Sequence, residues 1–255
     1  MIIDINAFSG HWPFERLPNT EPVALARHLR SHGIGKALVS PIEGIFYKSP
    51  QDANEQMFGQ LRRCPRLLPV AVADPTAPCW EAHLRRNVEA HRIRAAKLHP
   101  NYHGYGMAAP ETQALLRVAD ALRLPLIVQL QMEDQRTHSP LMKVPPVDPA
   151  AVLKALPAEM TSPVILGGLM LGDLNRLAVE IAKRPNVYVE LSWLEVMDCM
   201  ATVLKAIDAS RLLFATHLPF FFAECALAKI REGRLPRKVE TAILAGNARR
   251  VFELD

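Results

Sequence analysis

The chain has 255 residues, of which 49% are apolar and 22% charged, and its formal net charge is +4. These proportions are typical of a globular protein, and no apolar run approaches the roughly 18–20 residues that a membrane-spanning helix needs. The basic residues are scattered at helical spacings without interleaved aromatic residues, which argues against a nucleic-acid-binding surface. We therefore expect a cytoplasmic protein that binds neither a membrane nor a nucleic acid.

The cysteines carry no sign of a disulfide framework or a zinc site. Cys64, Cys79, Cys199 and Cys225 are widely spaced and form no CxxC pair. The N-terminus also lacks the basic flank and apolar run of an export signal. We expect all four to be reduced thiols.

Short apolar runs alternate with longer helical patterns along the whole chain. The predicted strands are residues 2–6, 36–40, 67–73, 95–98, 125–130, 164–167, 187–191 and 212–216. The predicted helices are a segment capped by Thr20 and ending at Gly33, and residues 52–63, 79–89, 111–122, 149–156, 173–183, 195–207, 220–232 and 238–252. Strands this short and apolar are typical of a parallel sheet that is buried on both faces.

The number and order of these elements indicate a closed barrel. Eight strand–helix units with right-handed crossovers fit a (β/α)8 barrel of about 250 residues better than an open sheet. No GxGxxG motif follows the first strand, which disfavours a dinucleotide-binding fold. We predict that residues 1–255 form a single-domain α/β TIM barrel with its functional site at the C-terminal ends of the strands.

Four segments at the predicted strand ends and in the last helix form a recognisable series. They are residues 1–10 (MIIDINAFSG), 96–100 (AKLHP), 213–220 (LFATHLPF) and 247–252 (NARRVF). In this order they resemble the amidohydrolase superfamily, particularly the branch related to aminocarboxymuconate-semialdehyde decarboxylase and 2-pyrone-4,6-dicarboxylate lactonase. The resemblance covers the whole chain. It implies a barrel like those of metal-dependent hydrolases and a hydrolase or lyase reaction.

The metal ligands that the resemblance implies are replaced in this sequence. The His-x-His pair of the opening strand falls on Asn6 and Phe8, the fifth-strand histidine on Gln129, the sixth-strand histidine at about Gly168, and the eighth-strand aspartate on His217. Most of these changes remove an imidazole or carboxylate that could hold a metal and activate water. We therefore expect a degenerate metal site and no cofactor.

A displaced metal site remains an alternative. His11, His99 and His217 belong to three different strand-end loops and could converge there. Three such ligands can hold a divalent metal such as zinc in an open site.

Polar side chains nevertheless remain at the strand ends. The candidate catalytic residues are Lys97 and His217, and the candidate substrate-binding residues are Asn6, His11, His99, Gln129, Gln131, Ser192 and Trp193. A lysine suits the binding of an anion, whereas imidazole suits proton transfer near neutral pH. We therefore expect Lys97 to hold the anionic part of a small substrate and His217 to move the proton.

Two functions are compatible with this pattern. The first is a hydrolase of C–O or C–N bonds, or a lyase, that acts on a small anionic organic molecule without the family's usual metal. The second is a catalytically inactive barrel that binds a ligand or a partner in a complex. The polar replacements Asn6, Gln129 and His217 favour the enzyme, whereas Phe8 and Gly168 favour the inactive barrel. The expected partner is a small-molecule substrate or ligand, and a homodimer is a compatible assembly.

Overall fold

Eight parallel strands form one sheet in which every strand pairs with its neighbour in the sequence. The computed structural model describes residues 1–255. Its strands are β1 (Ile2–Ser9), β2 (Ile34–Pro41), β3 (Leu67–Val72), β4 (Ala95–Leu98), β5 (Leu126–Gln129), β6 (Val164–Gly167), β7 (Val187–Glu190) and β8 (Leu212–Leu213). The predicted strand order is confirmed.

The helices lie between successive strands and after the last one. They are α1 (Pro22–Ser31), α2 (Pro50–Leu61), α3 (Trp80–His91), α4 (Pro100–His103), α5 (Pro110–Ala121), α6 (Pro149–Ala155), α7 (Leu171–Ala182), α8 (Cys199–Ala206), α9 (Ala223–Glu232), α10 (Arg237–Thr241) and α11 (Asn247–Val251). A π-helical turn, Ala242–Gly246, joins α10 to α11. None of these helices combines the length and apolar character needed to cross a membrane.

Backbone hydrogen bonds between β1 and the segment that follows β8 close the barrel. The Ile5 N–H donates to the Phe214 carbonyl at 3.1 Å, and the His217 N–H donates to the Asn6 carbonyl at 3.0 Å. This closure is the geometry predicted for a (β/α)8 barrel. It also brings the residues after β8 next to the end of β1, where the functional site was expected.

The barrel interior is apolar at its N-terminal end. One buried cluster joins inward-facing strand residues to the C-terminal segment that covers this end. Its strand members include Ile3, Ile5, Leu38, Val70, Ala95, Ile127, Ile165 and Leu213, and its C-terminal members include Ala248, Val251 and Phe252. A larger cluster fills the space between the strands and the outer helices. Polar groups are therefore concentrated in the C-terminal half of the interior.

A bulge in β1 changes which residues face inward. The pairing of β1 with β2 shifts register between Asp4 and Ala7. Ile5 joins the apolar interior, and the next residue, Asn6, also directs its side chain to the barrel centre. Two consecutive residues can face the same side only where the regular alternation is interrupted. The bulge thus separates the apolar part of β1 from its polar end.

Several predicted boundaries were wrong. Thr20 does not cap the first helix, which begins at Pro22 with Glu21 before it and no side-chain cap. The fixed φ of proline suits the first helical position, so a helix can begin there without a polar cap. The predicted eighth strand was too long: regular strand structure ends at Leu213, and the chain then reaches a left-handed turn at His217, where φ is 58°.

The loops after β4 and β8 also differ from the predictions. The one-turn helix α4 was missed, and α9 begins three residues later than predicted, because Phe222 keeps an extended backbone. Similarly, α8 begins at Cys199 instead of Glu195, because Asp198 before it is left-handed, with φ of 51°.

A buried amide fixes α2 against the end of β3. The Asn54 side chain donates to the Val72 carbonyl at 2.9 Å and accepts from the Val72 N–H at 2.8 Å. Both backbone groups are buried, so they depend on this side chain for a partner. The contact positions the end of β3 beside the barrel mouth.

We expect Asn54→Leu to lower the free energy of unfolding by about 2–4 kcal/mol, because it leaves two buried backbone groups without a partner. Urea denaturation measures the loss. Gln56→Leu, at an exposed position of the same helix, is the matched control and should change stability by less than about 0.5 kcal/mol. Equal effects of the two substitutions would contradict this role of Asn54.

Candidate functional site

The Lys97 ammonium lies inside the barrel, near the C-terminal end of β4. The residue is 1% exposed. Its Nζ donates to Asn6 Oδ1 at 2.6 Å and lies 3.8 Å from the centre of the Phe8 ring. Burial lowers the pKa of Lys97 to about 7, although the negative charges of Glu190 and Asp4 act in the opposite direction. The interior around Lys97 Nζ, called the centre below, therefore contains a cation that can lose its proton near neutral pH.

Two carboxamides connect this ammonium to the neighbouring strands. Asn6 Nδ2 donates to Gln129 Oε1 at 3.1 Å, and Gln129 Nε2 donates to the Gln131 carbonyl at 2.8 Å. A Cβ at Gly167 would lie 2.9 Å from Gln129 Oε1. The missing side chain at Gly167 therefore leaves the space that the two amides occupy.

Glu190, at the end of β7, supplies a buried carboxylate. It accepts from the Gly168 N–H at 2.7 Å, the Ser192 N–H at 2.6 Å and the Ser192 hydroxyl at 2.8 Å. Asn6 Nδ2 approaches it at 3.5 Å. These donors satisfy the hydrogen-bonding capacity of the buried carboxylate. Asn6 thus lies between the ammonium of Lys97 and the carboxylate of Glu190.

A second acid, Asp4, lies beneath the centre. Its carboxyl group accepts from the Asn6 N–H at 3.0 Å, the Thr216 N–H at 3.1 Å and the Thr216 hydroxyl. Burial raises the pKa of Asp4 to about 6 despite these hydrogen bonds, and the charge of Glu190 acts in the same direction. The sequence interpretation did not consider Asp4, and it treated Glu190 only as an inward-facing residue that could pair with Lys97, without placing it among the candidate site residues. The signal that could have identified them is a carboxylate inside an apolar strand.

His217 is fully buried beside the same centre. Its Nε2 lies 2.8 Å from the Met132 carbonyl. Because a carbonyl only accepts, Nε2 carries the proton and Nδ1, which has no partner, is the free acceptor. Burial, with a smaller contribution from the charge of Lys97, lowers the pKa of His217 to about 3, although the hydrogen bond to Met132 acts in the opposite direction. His217 is therefore a neutral imidazole at physiological pH.

His99 and three neighbouring side chains have polar atoms that lack hydrogen-bond partners. These atoms are Ser40 Oγ, both ring nitrogens of His99, Trp193 Nε1 and His217 Nδ1. They lie at or just after the ends of β2, β4, β7 and β8. Burial keeps the pKa of His99 well below 6.5, and the neighbouring His103 and Lys97 add to this effect. Buried polar atoms without partners are rare, so this group indicates a place for a ligand or water.

An aromatic cluster covers the centre on its solvent side. Phe8 and Trp12 pack with Ile42, Ile45 and Met132. The ring centres of Phe8 and His217 are 5.1 Å apart, so Lys97 and His217 both contact the Phe8 ring. This cluster, held by residues of the loop after β5, encloses the centre.

A hydrogen bond anchors the aromatic cover to that loop. Trp12 Nε1 donates to Glu133 Oε1 at 3.0 Å. Met132, beside Glu133, accepts from His217. These two contacts fasten residues 132–133 over the barrel mouth.

The structure brings most of the predicted site residues together. Those at or around the centre are Asn6, Lys97, His99, Gln129, Gln131, Ser192, Trp193 and His217. Gln131 lies at the edge of the centre, where its Nε2 donates to the Gly168 carbonyl at 2.8 Å. His11 is not part of this group: it is exposed, and its N–H donates to Glu43 Oε1 at 2.7 Å.

The displaced metal site is not formed. No three His, Cys, Asp or Glu side chains have an arrangement that could hold a metal ion. His11 lies at the surface, whereas His99 and His217 are buried. The three histidines of this alternative therefore do not meet in this structure, because their loops direct them to different environments.

Sequence and structure comparisons identify the family. A family model described as Amidohydrolase matches residues 42–254. This chain belongs to the amidohydrolase family. Among curated protein sequences, none matches it.

Several solved structures share the fold. A 2,6-dihydroxybenzoate decarboxylase from Rhizobium has 16% identity and a TM-score of 0.75, with 100% of this chain and 99% of the other covered. A dihydroxybenzoic acid decarboxylase from Polaromonas, with bound manganese and the inhibitor 2-nitroresorcinol, has 16% identity and a TM-score of 0.72, with 99% and 97% covered. A probable 2-pyrone-4,6-dicarboxylic acid hydrolase from Acinetobacter baumannii, with citric acid bound, has 16% identity and a TM-score of 0.68, with 99% of each covered. At this identity the likeness is one of fold alone.

The residues of this amidohydrolase do not fit a divalent metal ion. The strand-end positions of the implied ligands carry carboxamides, a phenyl ring and a single imidazole. The amide oxygen of Asn6 already accepts from the Lys97 ammonium. A metal ion at this place would have few imidazole or carboxylate donors and would meet a like charge.

We expect the His217 ring to remain neutral from pH 8 down to about pH 4, because its burial disfavours the imidazolium. Nitrogen-15 NMR of the imidazole groups measures the protonation state and the tautomer. His32 provides a contrast, because its hydrogen bond to the His28 carbonyl raises its pKa. A His217 signal that titrates between pH 6 and 7 would contradict the closed, buried site.

Proposed function

We propose that this amidohydrolase acts as a hydrolase or lyase on a small organic anion bound between Lys97, His99 and His217. The observation that carries the proposal is the group of unpaired polar atoms beside a buried ammonium. A carboxylate with a second polar group would give these atoms partners and balance the ammonium. Similar structures are described as enzymes of carboxylic acids, which is consistent with this substrate class.

The pKa shifts of Lys97 and His217 favour different roles for these two residues from those that the sequence predicted. Lys97, with a pKa of about 7, can hold or release a proton near neutral pH. His217, with a pKa of about 3, suits hydrogen bonding through a neutral ring. In the proposed reaction, Lys97 balances negative charge that develops on the substrate and supplies the proton, while the unprotonated His217 Nδ1 orients a donor group of the substrate.

Binding requires movement of the loop after β5, residues 130–148, which covers the centre and is called the covering loop. Met132 and Glu133 are joined to His217 and Trp12 by single hydrogen bonds. Residues 130–148 contain neither helix nor strand, so few backbone bonds oppose their displacement. A substrate that bonds to His217 can replace the Met132 carbonyl.

A non-catalytic ligand-binding barrel is the second candidate. Its supporting observation is that Asn6, Gln129 and Glu190 already satisfy one another in the enclosed interior. In such a protein the same ligand would bind but would be recovered unchanged. Product analysis by mass spectrometry distinguishes the two candidates.

The affinity for the organic anion should fall as pH rises above 7, by about tenfold for each pH unit, because binding requires the protonated form of Lys97. Thermal-shift screening of small carboxylates, lactones and phenolic acids selects the ligand, and calorimetry at pH 6, 7, 8 and 9 measures its affinity.

Two variants are the controls for this pH dependence. Lys97→Met should weaken binding at pH 6 by at least about tenfold and remove the pH dependence, because its side chain carries no charge. Lys97→Arg stays charged at every pH tested and should give a flat profile. A wild-type affinity that is the same from pH 6 to 9 would contradict the role of Lys97.

His217→Asn should lower turnover of the selected substrate by about 10²- to 10³-fold, the range for removing one preorganised hydrogen-bonding group, while the pH dependence due to Lys97 remains. The amide can still bond to the covering loop but no longer presents Nδ1 to the substrate. Steady-state kinetics from pH 6 to 9 measures both effects. Loss of the pH dependence in this variant would indicate that His217, and not Lys97, transfers the proton.

A further inference from the structure

We propose that the ammonium of Lys97 is the resident cation of this barrel and occupies the place that a divalent metal ion has in metal-binding amidohydrolases. The proposal concerns the unliganded protein and does not rest on the proposed catalytic function. It connects the residues found at the strand-end positions that the resemblance assigns to metal ligands with the charged group on which those positions converge.

The geometry places the ammonium among the substituted positions. Lys97 Nζ lies 2.6 Å from Asn6 Oδ1 and 3.8 Å from the centre of the Phe8 ring, the two residues at the implied His-x-His positions. Gln129, at the implied fifth-strand position, bonds to the other end of the Asn6 amide. His217, at the implied eighth-strand position, packs against the same Phe8 ring at 5.1 Å.

The substituted side chains match an ammonium better than a metal ion. A carboxamide oxygen accepts a hydrogen bond from Lys97, and the face of the Phe8 ring attracts a cation without a ligand bond. The buried carboxylate of Glu190 balances the charge through Asn6, whose amide accepts from the lysine and approaches the carboxylate with its Nδ2. One internal cation with one internal anion is an arrangement that a buried centre can hold.

Four titratable groups lie around Lys97 and determine how its charge behaves. Glu190 and Asp4 favour the ammonium, as the charge effects on the Lys97 pKa show. His99 and His217 are kept neutral by burial, and the positive charge of Lys97 lowers the pKa of both. The partner that balances the ammonium is therefore a carboxylate, and Glu190 is the one that Asn6 connects to it.

A double-mutant cycle tests the pairing of Lys97 with Glu190. Thermal unfolding midpoints are measured for the wild type, Lys97→Met, Glu190→Gln and the double variant, at pH 6 and pH 9. At pH 6 we expect Lys97→Met to lower the unfolding midpoint by about 2–6 °C more in the wild-type background than in the Glu190→Gln background. At pH 9 this difference should shrink, because Lys97 has lost its proton. Effects that are additive at pH 6, or equally coupled at both pH values, would overturn the pairing.

Elemental analysis of the wild-type protein tests the replacement of the metal and does not require the variants to fold. The protein is expressed with added Mn²⁺ and Zn²⁺ and is then dialysed against a chelator. We expect less than about 0.1 metal ion per chain, because the ammonium repels a second cation and the donors are few. About one chelator-resistant ion per chain, lost on His217→Asn, would overturn the proposal. Failure of the ligand screen would leave both of these measurements unaffected, so the two proposals can fail separately.

Discussion

The hydrogen bond between the Lys97 ammonium and Asn6 is the constraint on which the centre of this barrel depends. A charged group in a closed interior must be balanced and hydrogen-bonded, and the surrounding residues meet both needs. Asn6 orients the ammonium, Gln129 orients Asn6, and Glu190 supplies the opposite charge. The open position at Gly167 follows from the same requirement, because any side chain there would displace Gln129.

The enclosure of this centre decides the chemistry of its side chains. Burial makes Lys97 easier to deprotonate, Asp4 easier to protonate, and His99 and His217 resistant to protonation. Groups that would be fully charged or half-titrated in water therefore become neutral or titrate near pH 6–7. The covering loop maintains these shifts because it keeps water from the barrel mouth.

The fold could be predicted from the sequence because short apolar runs and helical patterns repeat eight times. The position of Lys97 and Gln129 on inward faces also followed from simple alternation along a strand. The bulge in β1 could not be predicted, since it depends on how β1 pairs with β2. The partnerships of Asp4 with Thr216 and of Glu190 with Gly168 were missed because they join residues far apart in the chain. The exposure of His11 depends on a loop that has no periodic pattern.

The direct bond between Lys97 and Asn6 also limits what a single substitution at position 6 can do. A histidine introduced there alone would face an ammonium, and a metal ion beside it would meet a like charge in one small space. A metal site at this place would need several substitutions made together, including one at Lys97, because each of them alone would leave a buried charge or amide without a partner. Protein engineering of a metal centre in this barrel would therefore have to replace the whole hydrogen-bonded set in one step.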